Sequence, residues 1–135
     1  MKRFSIATLI LLLFTSITFS QEPKKGEEPR VEMATYYVGF LFRGPKWTPE
    51  VTPETERIQK GHMAHIREMG ASGKLILAGP FMDDGNLRGM FVFRVANMEE
   101  AKALAEADPA VKAGRLVVEM HPWFSAKGIN IDPSK

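Results

Sequence analysis

His62 and Asp108 are the two residues whose types and predicted positions suit acid–base chemistry. Histidine titrates near neutral pH, and a projection at about 100° per residue places His62 inside the apolar stripe of a predicted helix. Asp108 precedes a proline at the end of a second predicted helix, where the helix dipole disfavours a carboxylate. A carboxylate that accepts a hydrogen bond from an imidazole fixes the tautomer of the ring. The two side chains would then form a general acid–base pair.

Each residue of the pair also has a purely structural interpretation. A histidine that faces the core is commonly satisfied by a backbone carbonyl, and Asp before Pro commonly forms a turn. His65 lies at the margin of the same apolar stripe. A metal site made of His62, His65 and His121 is disfavoured, because only His62 is expected to point inward. We therefore predict no metal site, and the sequence alone leaves the structural interpretation of the pair open.

Other side chains are candidates for a pocket around the pair. Tyr36 lies on the first predicted strand, Arg43 and Trp47 belong to the loop after it, and Pro80 lies in a Gly-Pro turn. Two neighbouring carboxylates at 83–84 could bind a cation, but a hairpin turn explains them better. The chain has no cysteine, which excludes thiol catalysis and cysteine-ligated metals. No cofactor is expected.

The elements that position these residues follow from hydrophobic periodicity and from capping signals. Thr52 and Pro53 begin the first helix, and Asn97 with Glu100 begins the second. The predicted strands are 34–42, 74–78, 88–95 and 116–123, and the predicted helices are 53–71 and 98–107. This β-α-β-β-α-β order predicts a ferredoxin-like α+β fold, an antiparallel sheet with both helices on one face.

The opposite face of the predicted sheet also carries apolar side chains. Tyr36, Val38 and Phe40 alternate along the first strand with Tyr37 and Leu41, so both faces of this strand are largely apolar. A second copy of the sheet is the simplest cover for the face that the helices leave open. We therefore expect a homodimer or a higher oligomer.

The two ends of the chain have compositions unlike that of the domain. Residues 1–20 combine a basic start, an apolar run and a small final residue, which predicts a cleaved signal peptide and a periplasmic or secreted protein without a membrane anchor. Residues 21–33 are predicted to be a disordered linker, and 125–135 a polar tail. Loss of Lys2 and Arg3 with the signal would reduce the 18 basic residues to 16, equal to the 16 acidic residues. Such a balanced charge does not favour a nucleic-acid partner.

Three segments of the chain resemble the signatures of the YCII-related family. The first runs from His62 through Gly73 and a short apolar strand to Ala-Gly-Pro80, and the spacing to Gly73 favours His62 over His65 as the family histidine. The second is the Asp-Pro segment at 107–114, and the third is the closing strand at 118–123. The resemblance covers residues 34–124, with a polar tail after it.

Membership of this family would imply a dimeric α/β-barrel, in which two ferredoxin-like sheets face one another. It would also imply that His62 and Asp108 form the acid–base site. One member of the family is similar to a dehydrochlorinase of chlorinated aromatic breakdown. The present sequence has Ala110 where the family often carries a bulkier aromatic residue, which leaves room for a larger ligand. Export also departs from the usual cytoplasmic location of the family.

Two functional hypotheses follow. The first is a small-molecule enzyme that carries out an elimination or an isomerisation by acid–base catalysis, on a substrate that the sequence does not identify. The second is a non-catalytic, exported ligand-binding or structural dimer, in which the pair ties two elements together. Geometry separates them, since the first hypothesis requires the pair beside an open cavity and the second predicts a pair sealed in packed core.

Overall fold

Four strands and three helices make up residues 30–129, the part of the chain that the computed structural model describes. In chain order they are β1 (Met33–Arg43), α1 (Pro53–Ala71), β2 (Leu75–Pro80), β3 (Leu87–Phe93), α2 (Met98–Glu106), α3 (Pro109–Lys112) and β4 (Leu116–Ala126). The predicted signal peptide lies outside the described residues, as do most of the predicted linker and the end of the tail.

The strands form one antiparallel sheet in the order β2-β3-β1-β4. β1 is central, as its two apolar faces predicted, and α1 and α2 pack on one face of the sheet. The predicted ferredoxin-like α+β fold is therefore confirmed. The core between helices and sheet consists mainly of aliphatic and aromatic side chains: Leu41, Ile58, Met69, Leu75, Phe91, Phe93, Ala101, Ala105, Ala110 and Leu116.

Local signals at both ends of α1 explain why the helix has these limits. The side chain of Thr52 accepts a hydrogen bond from the backbone N–H of Thr55, and Pro53 occupies the first helical turn, as predicted. At the other end the helix continues through Gly70, and the chain turns at Gly73, whose φ of +73° is a conformation that glycine adopts without strain. These signals fix the rotation and length of α1, which carries His62.

The short helix α3 was not predicted, and it changes the interpretation of Asp108. We expected this residue at the unfavourable end of the second helix. Instead α2 ends at Glu106, and Asp108 is the N-cap of α3, with its Oδ1 accepting a hydrogen bond of 2.8 Å from the backbone N–H of Ala110. A carboxylate is favourable at this end of a helix.

β4 continues three residues beyond its predicted end, to Ala126, because its pairing with β1 continues as far as Met33. The first tail residues then fold back over the side of the sheet that bears no helix. The backbone N–H of Gly128 donates to the hydroxyl of Tyr36 at 3.3 Å, and Ile129 packs against a cluster that includes Tyr36 and Val38. We call this side the open face, with Tyr36, Val38, Phe40, Met90, Val92 and Trp123 on it. Among residues 30–129, no helix is both long enough and apolar enough to span a membrane.

Candidate active site

His62 and Asp108 lie in direct contact although 46 positions separate them in the sequence. The distance from His62 Nδ1 to Asp108 Oδ2 is 2.7 Å, and the Asp108 side chain is completely buried. An ionised carboxylate can only accept hydrogen bonds, so the contact places the ring proton on Nδ1. The two carboxylate oxygens divide their roles, since Oδ2 contacts the imidazole while Oδ1 caps α3.

Close contact between α1 and α3 brings the two side chains together. A β-carbon built on Gly61, the residue before His62, would lie 3.1 Å from the ring of Pro109, the residue after Asp108. Glycine at this position lets the helix backbone approach the proline closely. The imidazole also stacks against Phe91 of β3, with ring centroids 6.1 Å apart. The ring is therefore held between the sheet below it and Asp108 beside it.

The other side of the imidazole faces a cavity of about 270 Å³ between α1 and the sheet. The His62 side chain is 12% exposed, and within residues 30–129 its Nε2 has no hydrogen-bond partner. The walls are mostly apolar and come from α1, β2, β3 and the loop after β1: Leu41, Trp47, Gln59, His62, Met63, Ile66, Ala78, Gly79, Pro80, Arg88, Gly89, Phe91 and Leu116. The pair therefore lies at the wall of an open cavity, the geometry that the enzyme hypothesis requires.

His65 adopts the structural arrangement that was considered for His62. Its Nε2 lies 2.8 Å from the backbone carbonyl oxygen of Leu104 in α2. A carbonyl only accepts, so this contact ties α1 to α2 and occupies the ring nitrogen. His65 does not line the cavity, and it therefore provides a natural control for His62.

The four predicted pocket residues have different locations. Pro80 lines the cavity. Arg43 is not a lining residue, but its guanidinium lies over the ring of Trp47, which is one. The prediction for Tyr36 is wrong, because its side chain points to the open face, where its hydroxyl donates to the carbonyl oxygen of Ala126 at 3.2 Å. Strand alternation places Tyr36 and the cavity-lining Leu41 on opposite faces.

Arg88 is a lining residue that the sequence did not reveal. β1 and β3 pair Leu41 with Gly89 and Phe42 with Leu87, so Arg88 is the extra residue of a β-bulge. Bulges redirect a side chain and are frequent beside active sites. Simple alternation along β3 gives no sign of the bulge. Gly89 beside it is a weak signal, because glycine in a strand often marks a bulge or a close approach.

Carboxylates and histidines outside the pair do not assemble a metal site in the described part of the chain. The Asp84 carboxylate pairs with Arg43 at 2.7 Å, within the turn that the sequence predicted. His121 lies on β4, where its Nε2 is 2.9 Å from a carboxylate oxygen of Glu119. It is therefore remote from the other two histidines, which lie on α1.

The fold and the pair define a ferredoxin-like α+β protein with a His–Asp dyad at the wall of a cavity. Residues 44–123, more than half of the chain, match the YCII-related domain, and the protein belongs to that family. A similar structure is that of 5-chloro-2-hydroxyhydroquinone dehydrochlorinase from Burkholderia phenoliruptrix in complex with 2,5-dihydroxybenzoquinone. It is 19% identical in sequence, with a TM-score of 0.48 over 65% of this chain and 92% of that chain. No curated protein matches the sequence significantly.

Proposed function

We propose that this protein is a small-molecule enzyme in which His62 acts as general base and acid and Asp108 orients it. The observation that carries the proposal is the 2.7 Å contact between a buried carboxylate and an imidazole that lines a cavity. A pair that only joined two elements would need no opening beside it. Burial of Asp108 excludes water from the contact and holds the imidazole in one orientation.

The proposed reaction begins with removal of a carbon-bound proton by His62 Nε2. The resulting imidazolium is stabilised by the Asp108 carboxylate, which stays ionised. In an elimination, the electron pair of the broken C–H bond forms a double bond as a leaving group departs with its own pair from the neighbouring carbon. In an isomerisation, the imidazolium returns the proton to a different carbon. Both outcomes need one base whose conjugate acid remains in place.

The size of the cavity restricts the substrate to a small molecule. Ligand pockets commonly enclose about 300–1,000 Å³, and a cavity of roughly 150 Å³ is enough for benzene. The cavity here, about 270 Å³, suits a single substituted ring or a compound of similar size. Its aromatic walls, Trp47 and Phe91, favour a flat ligand.

The test is proton exchange followed by NMR in D₂O with a panel of single-ring compounds that carry an acidic C–H bond. We expect the wild type to exchange or eliminate from at least one of them. His62→Gln should lower that rate roughly 10²–10⁴-fold, the usual contribution of a general base. His65→Gln is the matched control and should retain the rate, because His65 lies outside the cavity. Turnover by His62→Gln at the wild-type rate would remove His62 from the mechanism.

We also propose that two copies pair through the open face of the sheet. Trp123 is 42% exposed there, and Phe40 and Met90 are only half-buried. Together with Val38, His121 and Pro122 these side chains line a mostly apolar depression of about 220 Å³. Exposed apolar side chains that lie together commonly mark a contact with another protein surface. The depression lies on the side of the sheet opposite to the dyad.

A further inference from the structure

Three arginines surround one aromatic ring beside the candidate active site. The guanidinium carbons of Arg43, Arg88 and Arg115 each lie 5.3 Å from the centre of the Trp47 ring. We call these four residues the arginine–tryptophan cluster. Their backbones are fixed, since the N–H of Lys46 donates to the carbonyl of Gly114 at 2.9 Å, joining the Trp47 loop to the start of β4.

The cluster carries more positive charge than its surroundings neutralise. Within residues 30–129, the only carboxylate within 4 Å of the three guanidinium groups is that of Asp84, which is 98% exposed. The remaining hydrogen bonds of the guanidinium groups go to backbone carbonyls. Arg43 donates to Asp84, Arg88 to Asp83 and Gly85, and Arg115 to Thr48. Carbonyl groups hold the side chains in place without cancelling their charge.

Two donors of the cluster are also buried without a partner. Arg43 Nε and Arg115 Nη1 form no hydrogen bond with any described residue. A buried donor left unsatisfied destabilises a protein, and a charged one does so more strongly. Most buried polar groups therefore have a hydrogen-bond partner. Guanidinium groups are frequent partners of carboxylate and phosphate anions, which they match in shape and charge.

Two members of the cluster, Trp47 and Arg88, line the same cavity as the dyad, whereas Arg43 and Arg115 lie behind them. His62 lies in the wall of this cavity, and apolar side chains form most of the remainder. A ligand in this cavity would therefore meet an imidazole, a guanidinium side chain and two aromatic rings in its walls. Low polarity around a charge strengthens its interaction with an ion of opposite sign.

We propose that the cavity selects small aromatic carboxylates, with the carboxylate at Arg88, the ring against Trp47 and the reacting carbon at His62. The planar guanidinium matches a carboxylate in shape as well as charge, and Arg43 and Arg115 add to the positive potential. This inference rests on the proposed function for the role of His62. The anion site itself depends only on the cluster and the cavity.

Calorimetric titration of the full chain with benzoate, and with benzamide as its neutral isostere, tests the proposal. Both probes have one ring and similar size, so the comparison isolates the charge without changing the protein. Benzoate should bind roughly 10- to 100-fold more tightly, as expected for charge-assisted hydrogen bonds, and the difference should shrink as salt is added. Equal affinities, or no binding of benzoate, would overturn the proposal.

Variants then locate the site. Arg88→Gln should bring the affinity for benzoate down to that for benzamide, whereas Arg67→Gln, which removes an exposed arginine of α1, should leave it unchanged. An unaltered affinity in Arg88→Gln would also overturn the proposal. His62→Gln should still bind benzoate, because the imidazole does not carry the anion site. A catalytic failure of His62 and a failure of anion recognition are therefore distinguishable.

Discussion

Asp108 meets two structural demands with one side chain. The sequence suggested either a local turn or a partner for an imidazole, and the structure contains both contacts, one on each carboxylate oxygen. The cap on α3 prevents rotation of the carboxylate, and the fixed carboxylate then orients the His62 ring. Because the cap already holds the Asp108 side chain in one rotamer, its contact with His62 costs no further side-chain entropy of Asp108.

Asp108→Asn separates these two roles. Its amide oxygen can still accept from the N–H of Ala110, so the cap on α3 should survive and the variant should fold. The amide nitrogen would then donate to His62 Nδ1, which moves the ring proton to Nε2 and removes the base from the cavity. We expect turnover to fall roughly 10⁴-fold, the effect of the wrong tautomer in a comparable arrangement.

Nitrogen-15 NMR of the histidine rings measures the tautomer directly. In the wild type the proton should be on Nδ1 of His62, and in Asp108→Asn it should be on Nε2. His65 supplies an internal reference, because its Nε2 should remain protonated in both proteins. A His62 ring that keeps its proton on Nδ1 in the variant would contradict the orienting role of Asp108.

At the scale of elements, the distance between α1 and α3 determines the distance between His62 and Asp108. The two helices meet at Gly61 and Pro109, each directly next to a member of the pair. A β-carbon at Gly61 would crowd the Pro109 ring, which would have to give way by a few tenths of an ångström. The same helix has a second glycine, Gly70, whose added β-carbon would meet nothing within 4 Å. Substitutions at Gly61 and Gly70 therefore distinguish an effect of helix propensity from an effect of packing between helices.

Substitution of each glycine by alanine should have different consequences. Gly70→Ala should stabilise the protein by about 1 kcal/mol through helix propensity, with no change in activity. Gly61→Ala gains the same propensity but crowds the Pro109 ring beside Asp108, so its stability should rise less and its turnover should fall. Chemical unfolding and the exchange assay measure the two effects. Equal stability gains with unaltered turnover in both variants would show that the helix contact does not set the dyad geometry.

The longer helices and the strands could be predicted from the sequence because each covers several repeats of its hydrophobic pattern. The helices also have capping residues. α1 begins at Pro53 as predicted, and the predicted pairing of His62 with Asp108 has the expected geometry. Shorter features could not be predicted, since the four residues of α3 show no period and the bulge at Arg88 leaves no pattern. Alternation correctly divided the faces of β1, but it did not show which face borders the cavity, and so Tyr36 was misplaced.

At the scale of the whole molecule, the sheet lies between the region proposed for catalysis and the region proposed for pairing of two chains. The helix side contains the dyad, the arginine–tryptophan cluster and the cavity, all built from one chain. The open face holds a second apolar cluster, which the first tail residues cover in part through Ile129. Because the sheet lies between the two regions, a change on the open face should alter association without altering the dyad.

Trp123→Arg tests the proposed pairing. Trp123 is exposed at the edge of the open-face depression, and a buried tryptophan in an interface commonly contributes about 2 kcal/mol or more. We expect the wild type to have twice the mass of a single chain in sedimentation equilibrium. The variant should raise the dissociation constant roughly thirtyfold or more, because it also places a charge in an apolar contact.

Phe124→Arg is the matched control for this experiment. Phe124 is the next residue of β4 and is 67% exposed, but its side chain points to the opposite side of the sheet from Trp123. The same charge is thus added one position away, outside the proposed interface, and the dimer should persist. A wild type that remains a single chain at all concentrations, or equal dissociation of the two variants, would contradict pairing through the open face. Retention of benzoate binding by the dissociated Trp123→Arg protein would show in addition that each chain carries a complete site, as the position of the cavity within one chain leads us to expect.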